Sequence, residues 1–211
     1  VNCISSIIMT AKKQELQTLS LKTLLSNTVV NLHPSIVLPE QETENSLSDF
    51  VYAYIEHVPH FFEVMIATAF ESGLDTLLVP PLKAAIDFFI TPSTLDYEAR
   101  GLDELLSAAF FAHRVFEELN DYYQLNTGTA VVYVEMTTAN LIIHNIIGEK
   151  FANELEVEVQ KATQKLLSPN PLVDSETFQQ HLIEKDEHWD GVWQHWSDLF
   201  AVKSLKLDLN K

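Results

Sequence analysis

Cysteine and glycine are the residue types in which this chain is poorest. Cys3 is the only cysteine among 211 residues, so no disulfide can form within the chain and a disulfide-stapled secreted domain is excluded. The chain also contains only 5 glycines, whereas an all-β or Rossmann-type chain of this length needs more of them for its turns. The shortage of glycine therefore favours a helical protein.

Basic residues and long apolar runs are scarce as well. The chain has 13 Lys and Arg against 30 Asp and Glu, which gives a formal net charge of −17. A surface of that sign repels phosphate, so we expect neither nucleic acid nor an anionic membrane as a partner. No apolar run approaches the roughly 20 residues that a transmembrane helix needs. We therefore expect a cytoplasmic protein that meets basic proteins, cations or small molecules.

The first residues have no basic segment and no cleavage site of the kind found in signal peptides. Met9, followed by TAKKQELQ, has more of the character of a natural start. We expect residues 1–8 to be a disordered leader or the product of an incorrectly assigned start. Residues 9–211 then form a single domain, which contains no cysteine.

Apolar residues make up 46% of the chain, which is ample material for a core. They recur at helical spacing in segments that short polar or proline-containing connectors separate. This pattern predicts an all-α protein, an antiparallel multi-helix bundle of six to eight helices. We expect helices over about 12–26, 49–58, 60–72, 80–90, 101–123, 139–167 and 175–201.

Prolines and glycines mark several of the expected boundaries. Pro59 either kinks one helix or lies in the first turn of a new one. The pair Pro80–Pro81 is expected to begin a short helix, and Gly148 is a weak point inside a long one. Residues 130–136, AVVYVEM, are β-rich by propensity, and the sequence leaves open whether they form strand or helix.

The segment HVPHFFE (57–63) brings histidines and a glutamate close together. In a helix, His60 and Glu63 lie on a polar side opposite Phe62. With Glu56 one turn before His60, they could hold a cation weakly. A solvated acidic face explains the same pattern without a metal, and it is the interpretation we favour.

Two other histidines are predicted to face the interior. His113 lies within an apolar stripe and Glu117 follows one turn later at its edge, while His144 shares a face with apolar residues of the next long helix. The simplest interpretation makes His113 a core histidine bonded to Glu117 or to a backbone carbonyl. The alternative is a mononuclear site in which His113, Glu117 and His144 hold iron, manganese or zinc. No histidine has a glutamate three residues before it, which argues against a conventional di-iron centre.

The last predicted helix, about 175–201, is rich in aromatic residues and is expected to pack on the bundle or stand as an appendage to it. Its three tryptophans lie on one face: Trp189, Trp193 and Trp196. Three histidines recur every seven residues along the flank of that face: His181, His188 and His195. Either the tryptophans bury against the bundle and the histidines line the boundary with water, or the stripe is an interface. An interface would serve a protein partner or a second copy in a homo-oligomer.

Two functional hypotheses follow from the sequence. The first is a non-catalytic, acidic helical-bundle interaction or regulatory domain that associates through helix faces. The second is a non-haem metal-dependent oxidoreductase, in which the His113, Glu117 and His144 site lies inside the bundle and keeps a position open for dioxygen or water. The sequence does not decide whether the chain is an enzyme.

Overall fold

A computed structural model of the chain describes residues 1–37, 43–91, 101–128, 130, 136–167, 175–184 and 206–207. The helices are α1 Asn2–Thr18, α2 Ser20–Val29, α3 Thr43–Glu56, α4 Val58–Glu71, α5 Asp75–Ile90, α6 Leu102–Thr127, α7 Met136–Ile147, α8 Glu149–Thr163 and α9 Glu176–Glu184. A 3-10 turn, Gln164–Leu167, follows α8, and the two-residue strands β1 Ile36–Val37 and β2 Lys206–Leu207 pair antiparallel. The predicted fold class, an all-α antiparallel multi-helix bundle, is confirmed.

Helix α6 is the centre of the bundle. It packs against α1, α2, α3, α4, α5, α7 and α8, and Phe110, Val115 and Phe116 on different sides of it are fully buried. A helix that is apolar on nearly every side is stable only when other helices surround it. Gly128 takes the left-handed conformation (φ 77°) and its N–H bonds to the carbonyl of Gln124, so α6 ends at Thr127, beyond the predicted end at 123.

Residues 2–8 form the first two turns of α1, so the prediction of a disordered leader is wrong for them. Ile4, Ile8 and Ala11 are buried in the core. Their spacing of four and three residues places them on one side of the helix. The apolar stripe of α1 thus begins before Met9, and burial of that stripe orders the residues that carry it.

The helix predicted over 12–26 is broken at Leu19, which takes the left-handed conformation (φ 52°, ψ 32°) between α1 and α2. The buried carboxylate of Glu15 holds this break. It accepts hydrogen bonds from the backbone N–H groups of Leu21 and Lys22, each at 3.1 Å. These N–H groups belong to the first turn of α2 and have no helical acceptor, so Glu15 caps α2 from the preceding helix.

The prolines behave in two ways. Pro59 lies in the first turn of α4, so the second of the two possibilities for it is confirmed. The prediction that Pro80–Pro81 begins a helix is wrong, because α5 begins at Asp75 and contains both prolines. Leu77 and Leu78 are buried together with Pro81. Burial of this side extends the helix ahead of the prolines, although each proline removes a backbone hydrogen bond.

Gly148 separates α7 from α8, so the long helix predicted over 139–167 is two helices. Its backbone angles (φ 91°, ψ 135°) lie in a region that residues with a side chain rarely adopt. In the segment 130–136, Met136 begins α7, and residues 131–135 lie outside the described residues. Among the helices that the structure describes, none is both long enough and apolar enough to cross a membrane.

Candidate functional site: a polar network around Arg114

The segment HVPHFFE (57–63) spans the start of α4. His60 and Glu63 are exposed, as their helical phase predicts, but Glu56 forms an ion pair with Lys12 of α1. The remaining histidine, His57, donates from Nδ1 to the carbonyl of Ala53 at 2.6 Å. Within the described part of the chain, no group of three or more His, Cys, Asp or Glu is placed to hold a metal ion. His60 and Glu63 thus lie on a solvated face of α4.

His113 is fully buried and bonds to a neighbouring helix. Its Nε2 lies 2.8 Å from the main-chain oxygen of Tyr54, and because a carbonyl can only accept, Nε2 carries the proton. Tyr54 lies in the last turn of α3, where carbonyls lack an N–H partner in their own helix. The ring of Tyr54 lies 4.0 Å from the imidazole, and those of Phe61 and Phe116 lie at 5.4 and 5.8 Å. The prediction of a core histidine bonded to a backbone carbonyl is confirmed.

The environment of His113 keeps its imidazole neutral. Burial lowers the pKa of His113 from 6.5 to about 3. The hydrogen bond to the Tyr54 carbonyl opposes this shift, while a positive charge on nearby His57 adds to it. Burial is the largest of the three effects because an imidazolium among aromatic rings loses its hydration.

Arg114, the next residue on α6, joins three carboxylates. Its Nε donates to Glu156 of α8 at 2.7 Å, its Nη2 donates to Glu118 at 2.9 Å, and its Nη1 donates to Glu117. Burial would lower the pKa of Arg114, but the hydrogen bond to Glu156 and the three negative charges raise it above its ordinary value. The guanidinium therefore stays charged and ties α6 to α8.

Glu117 extends the network to α7 and α3. Besides Arg114, its carboxylate accepts hydrogen bonds from the hydroxyl of Thr137 and, at 2.6 Å, from the amide nitrogen of Asn140. The amide oxygen of Asn140 in turn accepts the hydroxyl proton of Tyr54 at 2.5 Å. Burial and then the charge of Glu117 raise the pKa of Tyr54 well above 10, so the phenol keeps the proton that it donates.

The predicted ligand set of His113, Glu117 and His144 is not brought together. His113 bonds to the Tyr54 carbonyl, and Glu117 is engaged by three donors. His144 lies half-buried in the last turn of α7, and its Nε2 is 3.1 Å from the side-chain oxygen of Asn153 at the start of α8.

The inward direction predicted for His144 is wrong. Thr137 and Leu141, which share its side of α7, are exposed, whereas Asn140 and Ile143 on the adjoining side are buried. Isoleucines lie on both sides of this segment, LIIHNII, so the apolar pattern does not single out one face. The polar Asn140 marks the buried face because Tyr54 and Glu117 satisfy its amide there.

A cavity of about 220 Å³ opens at the surface between α6, α7 and α8. Its walls are Phe110, Arg114 and Glu117 from α6, Thr137, Asn140, Leu141 and His144 from α7, and Glu156 from α8. A second, shallower hollow of about 480 Å³ lies at the junction of α7 and α8, where Ile147, Phe151 and Glu154 contribute to its lining. Glu117 and His144 thus share one cavity, and His113 is not part of it.

Sequence reasoning missed Arg114, Asn140 and Glu156. A signal for Arg114 was present, because Glu117 and Glu118 follow it by three and four residues, the spacing at which charged side chains meet on a helix. Glu156 belongs to another helix, so no local pattern links it to Arg114. The link depends on how α6 and α8 pack.

The beginning of the last helix packs on the bundle. Phe178 is fully buried, and its ring lies edge-on to that of Tyr123 at 5.9 Å. His181, predicted at the boundary with water, is buried instead and lies 2.7 Å from the Tyr123 hydroxyl. The tryptophans of the predicted interface and the two other flanking histidines lie outside the described residues: Trp189, Trp193, Trp196, His188 and His195.

The hydrogen bonds and ion pairs of this site therefore connect neighbouring helices around a small surface cavity. Comparison of the chain with known protein families, with curated proteins and with solved structures finds no match.

Proposed function

We propose that the chain is a non-catalytic interaction domain that binds a basic partner through the outward surface of α7 and α8. This α7–α8 surface is defined by the outward residues that line the two hollows: Thr137, Leu141, His144, Ile147, Phe151 and Glu154. The observation that carries the proposal is that Leu141 and Phe151 are 48% and 45% exposed on it. Large apolar side chains beside concave surface are typical of binding sites for helices.

A structural role for the interior polar groups supports a non-catalytic domain. Arg114, Glu117 and Asn140 form a chain of hydrogen bonds in which each group is matched by a group on another helix. A catalytic base or acid needs a reacting group within hydrogen-bond reach. The side chains of this network are instead hydrogen-bonded to one another. The contribution of this network to the stability of the fold accounts for the polar residues in the interior of α6 and α7.

The charge of the chain supports a basic partner. The net charge is −17, and α8 exposes Glu149 and Glu154, which line the same hollow as Phe151. A partner of opposite charge is steered to such a surface, whereas a second copy of the chain brings the same negative charge. A basic amphipathic helix combines the two required features, apolar anchors and lysine or arginine.

The test uses the full chain labelled with ¹⁵N and a synthetic amphipathic helix of leucine and lysine. We expect the peptide to shift backbone signals of α7 and α8 and to bind with an affinity that falls as salt is raised. Phe151→Ala should weaken binding by about tenfold, because a half-exposed aromatic anchor is lost. The measurement is a titration followed by NMR and by calorimetry.

Two controls make the result specific. Phe70→Ala removes an exposed phenylalanine from α4 and should leave the affinity unchanged. A peptide with glutamate in place of lysine should not bind. Equal effects of the two phenylalanine variants, or shifts spread over the whole bundle, would contradict the proposed function.

A further inference from the structure

We propose that the cavity between α6, α7 and α8 receives a lysine-type ammonium group from the basic partner, an inference that rests on the proposed function. The size of the cavity is the first argument. At about 220 Å³ it lies below the ~300–1,000 Å³ range of pockets that enclose drug-sized ligands. It suits the end of one side chain.

The charge around the cavity is unbalanced. One guanidinium, that of Arg114, meets three carboxylates, and two of these, Glu117 and Glu156, line the cavity. Both are mostly shielded from water, since their side chains are 13% and 26% exposed. Shielding makes an uncompensated charge costly, and a cation in the cavity would compensate it.

The negative potential also acts on Asp121, one turn beyond Glu117. Burial raises the pKa of Asp121, and the charges of Glu117 and Glu118 raise it further although Arg114 opposes them. Arg114 therefore does not cancel the field of its carboxylates. At Asp121, which does not line the cavity, the two carboxylates thus outweigh Arg114.

The acceptors converge from three helices, which suits an ammonium better than a guanidinium. Glu117 stands on α6, the Thr137 hydroxyl on α7 and Glu156 on α8. A carboxylate has about four acceptor sites, and Glu117 uses three of them within the chain. An ammonium donates in three separate directions, whereas a guanidinium donates from one planar fork.

The apolar part of the wall suits an alkyl stem. Phe110 and Leu141 line the same cavity as the carboxylates, and Leu141 is half-exposed. Lysine characteristically lays its methylene groups along apolar surface and extends its charge to a polar end. The cavity therefore offers both environments that such a side chain needs.

The first experiment titrates the full chain with n-butylammonium chloride and, in parallel, with n-butanol, a neutral molecule of similar shape. We expect n-butylammonium to saturate a site with a millimolar dissociation constant and to shift the signals of Thr137, Leu141 and His144. n-Butanol should bind at least tenfold more weakly. Equal binding of the two would overturn the proposal, because the negative charge would then have no part in recognition.

Two variants and a control locate the site. Glu156→Gln removes one cavity carboxylate and should weaken n-butylammonium binding about tenfold. Glu158→Gln removes the same charge from an exposed position of the same helix that does not line the cavity, and should leave binding unchanged. Leu141→Trp fills the mouth without a change of charge and should abolish binding, which keeps the test decisive if Glu156→Gln unfolds. Equal effects of Glu156→Gln and Glu158→Gln, or undiminished binding by Leu141→Trp, would overturn the proposal.

The outcomes separate this inference from the proposed function. If the leucine–lysine peptide binds and n-butylammonium does not, the ammonium cavity is wrong and the interaction domain stands. If n-butylammonium binds and the peptide does not, a protein partner is wrong as the source of the cation, and the proposed function falls with it. Binding of both, each weakened by Glu156→Gln, supports the two proposals together.

Discussion

The histidine at the centre of the bundle works as a neutral hydrogen-bond donor. His113 donates from Nε2 to the last turn of α3, and the aromatic rings around it exclude water. A neutral imidazole stabilises the fold at this position, whereas a protonated one would lose its hydration among the aromatic rings. Its contribution to stability therefore depends on pH.

The stability of the chain should fall below pH 6.5 partly because of His113. The folded-state pKa, about 3, lies below the unfolded value of 6.5, so the unfolded chain binds a proton between these values and the folded chain does not. Stability from this group is complete above pH 6.5 and is lost as pH falls toward 3, by about 1.4 kcal/mol per pH unit. His113→Gln, which keeps an N–H donor, should flatten the slope of the free energy of unfolding between pH 6.5 and about 5, measured by urea denaturation.

His60→Gln is the matched control, since His60 is exposed on α4. It should leave the slope of the free energy of unfolding against pH unchanged. An equal slope for His113→Gln and the unaltered chain would show that His113 takes up its proton while the bundle is folded.

Tyr54 and Asn140 should be energetically coupled. Tyr54→Phe and Asn140→Ala each leave a buried partner without a hydrogen bond, which costs about 1–3 kcal/mol. The double variant should lose less than the sum of the two losses, by about 1 kcal/mol, because the second substitution removes a group that the first has already left unsatisfied. Urea denaturation of the four proteins measures the coupling.

A distant pair provides the reference for this cycle. Thr163 bonds within α8 to the carbonyl of Val159, so Thr163→Val and Tyr54→Phe should be additive within about 0.5 kcal/mol. Additivity of the Tyr54 and Asn140 variants to the same degree would mean that the hydrogen bond between them contributes nothing of its own.

The breaks between helices are set by tertiary packing and by residues that adopt a positive φ. Leu19 and Gly148 both take backbone conformations with positive φ, and each lies between two helices that pack separately. The hydrogen bond of His144 to Asn153 spans the break at Gly148. Such breaks let α7 and α8 each bury its own apolar side against α6.

Gly148→Ala should destabilise the chain by about 1–2 kcal/mol. A Cβ at this position would lie in open space, so the cost comes from the backbone conformation (φ 91°), which residues with a side chain avoid. Urea denaturation measures the loss. Gly101→Ala is a comparison of another kind, because φ at Gly101 is −82° and the new Cβ would instead meet the side chains of Ser20 and Asp103.

A gain in stability together with a gain in helical circular dichroism would contradict this prediction for Gly148→Ala. That result would mean that α7 and α8 can join into the single helix that the sequence pattern suggests, in which alanine is favoured over glycine.

For the molecule as a whole, the polar network and the charge have different roles. Residues from α3, α6, α7 and α8 share one chain of hydrogen bonds, which ties four helices in one arrangement. The charge of −17 acts at longer range and, under the proposed function, would steer a basic partner to the surface. The binding expected in the peptide and ammonium titrations depends on how α6, α7 and α8 come together around one cavity.

The sequence alone determined the class of fold, the position of most helices and the faces of α4 and α6. Apolar residues at helical spacing are local information, so His60 is outside and His113 inside for the same reason that their neighbours are. The tertiary structure decided the rest: the break at Gly148, the helix that runs through Pro80 and Pro81, the outward turn of His144, and the meeting of Arg114 with Glu156. Each of these depends on contacts between residues far apart in the chain, and such contacts leave no periodic mark in the sequence.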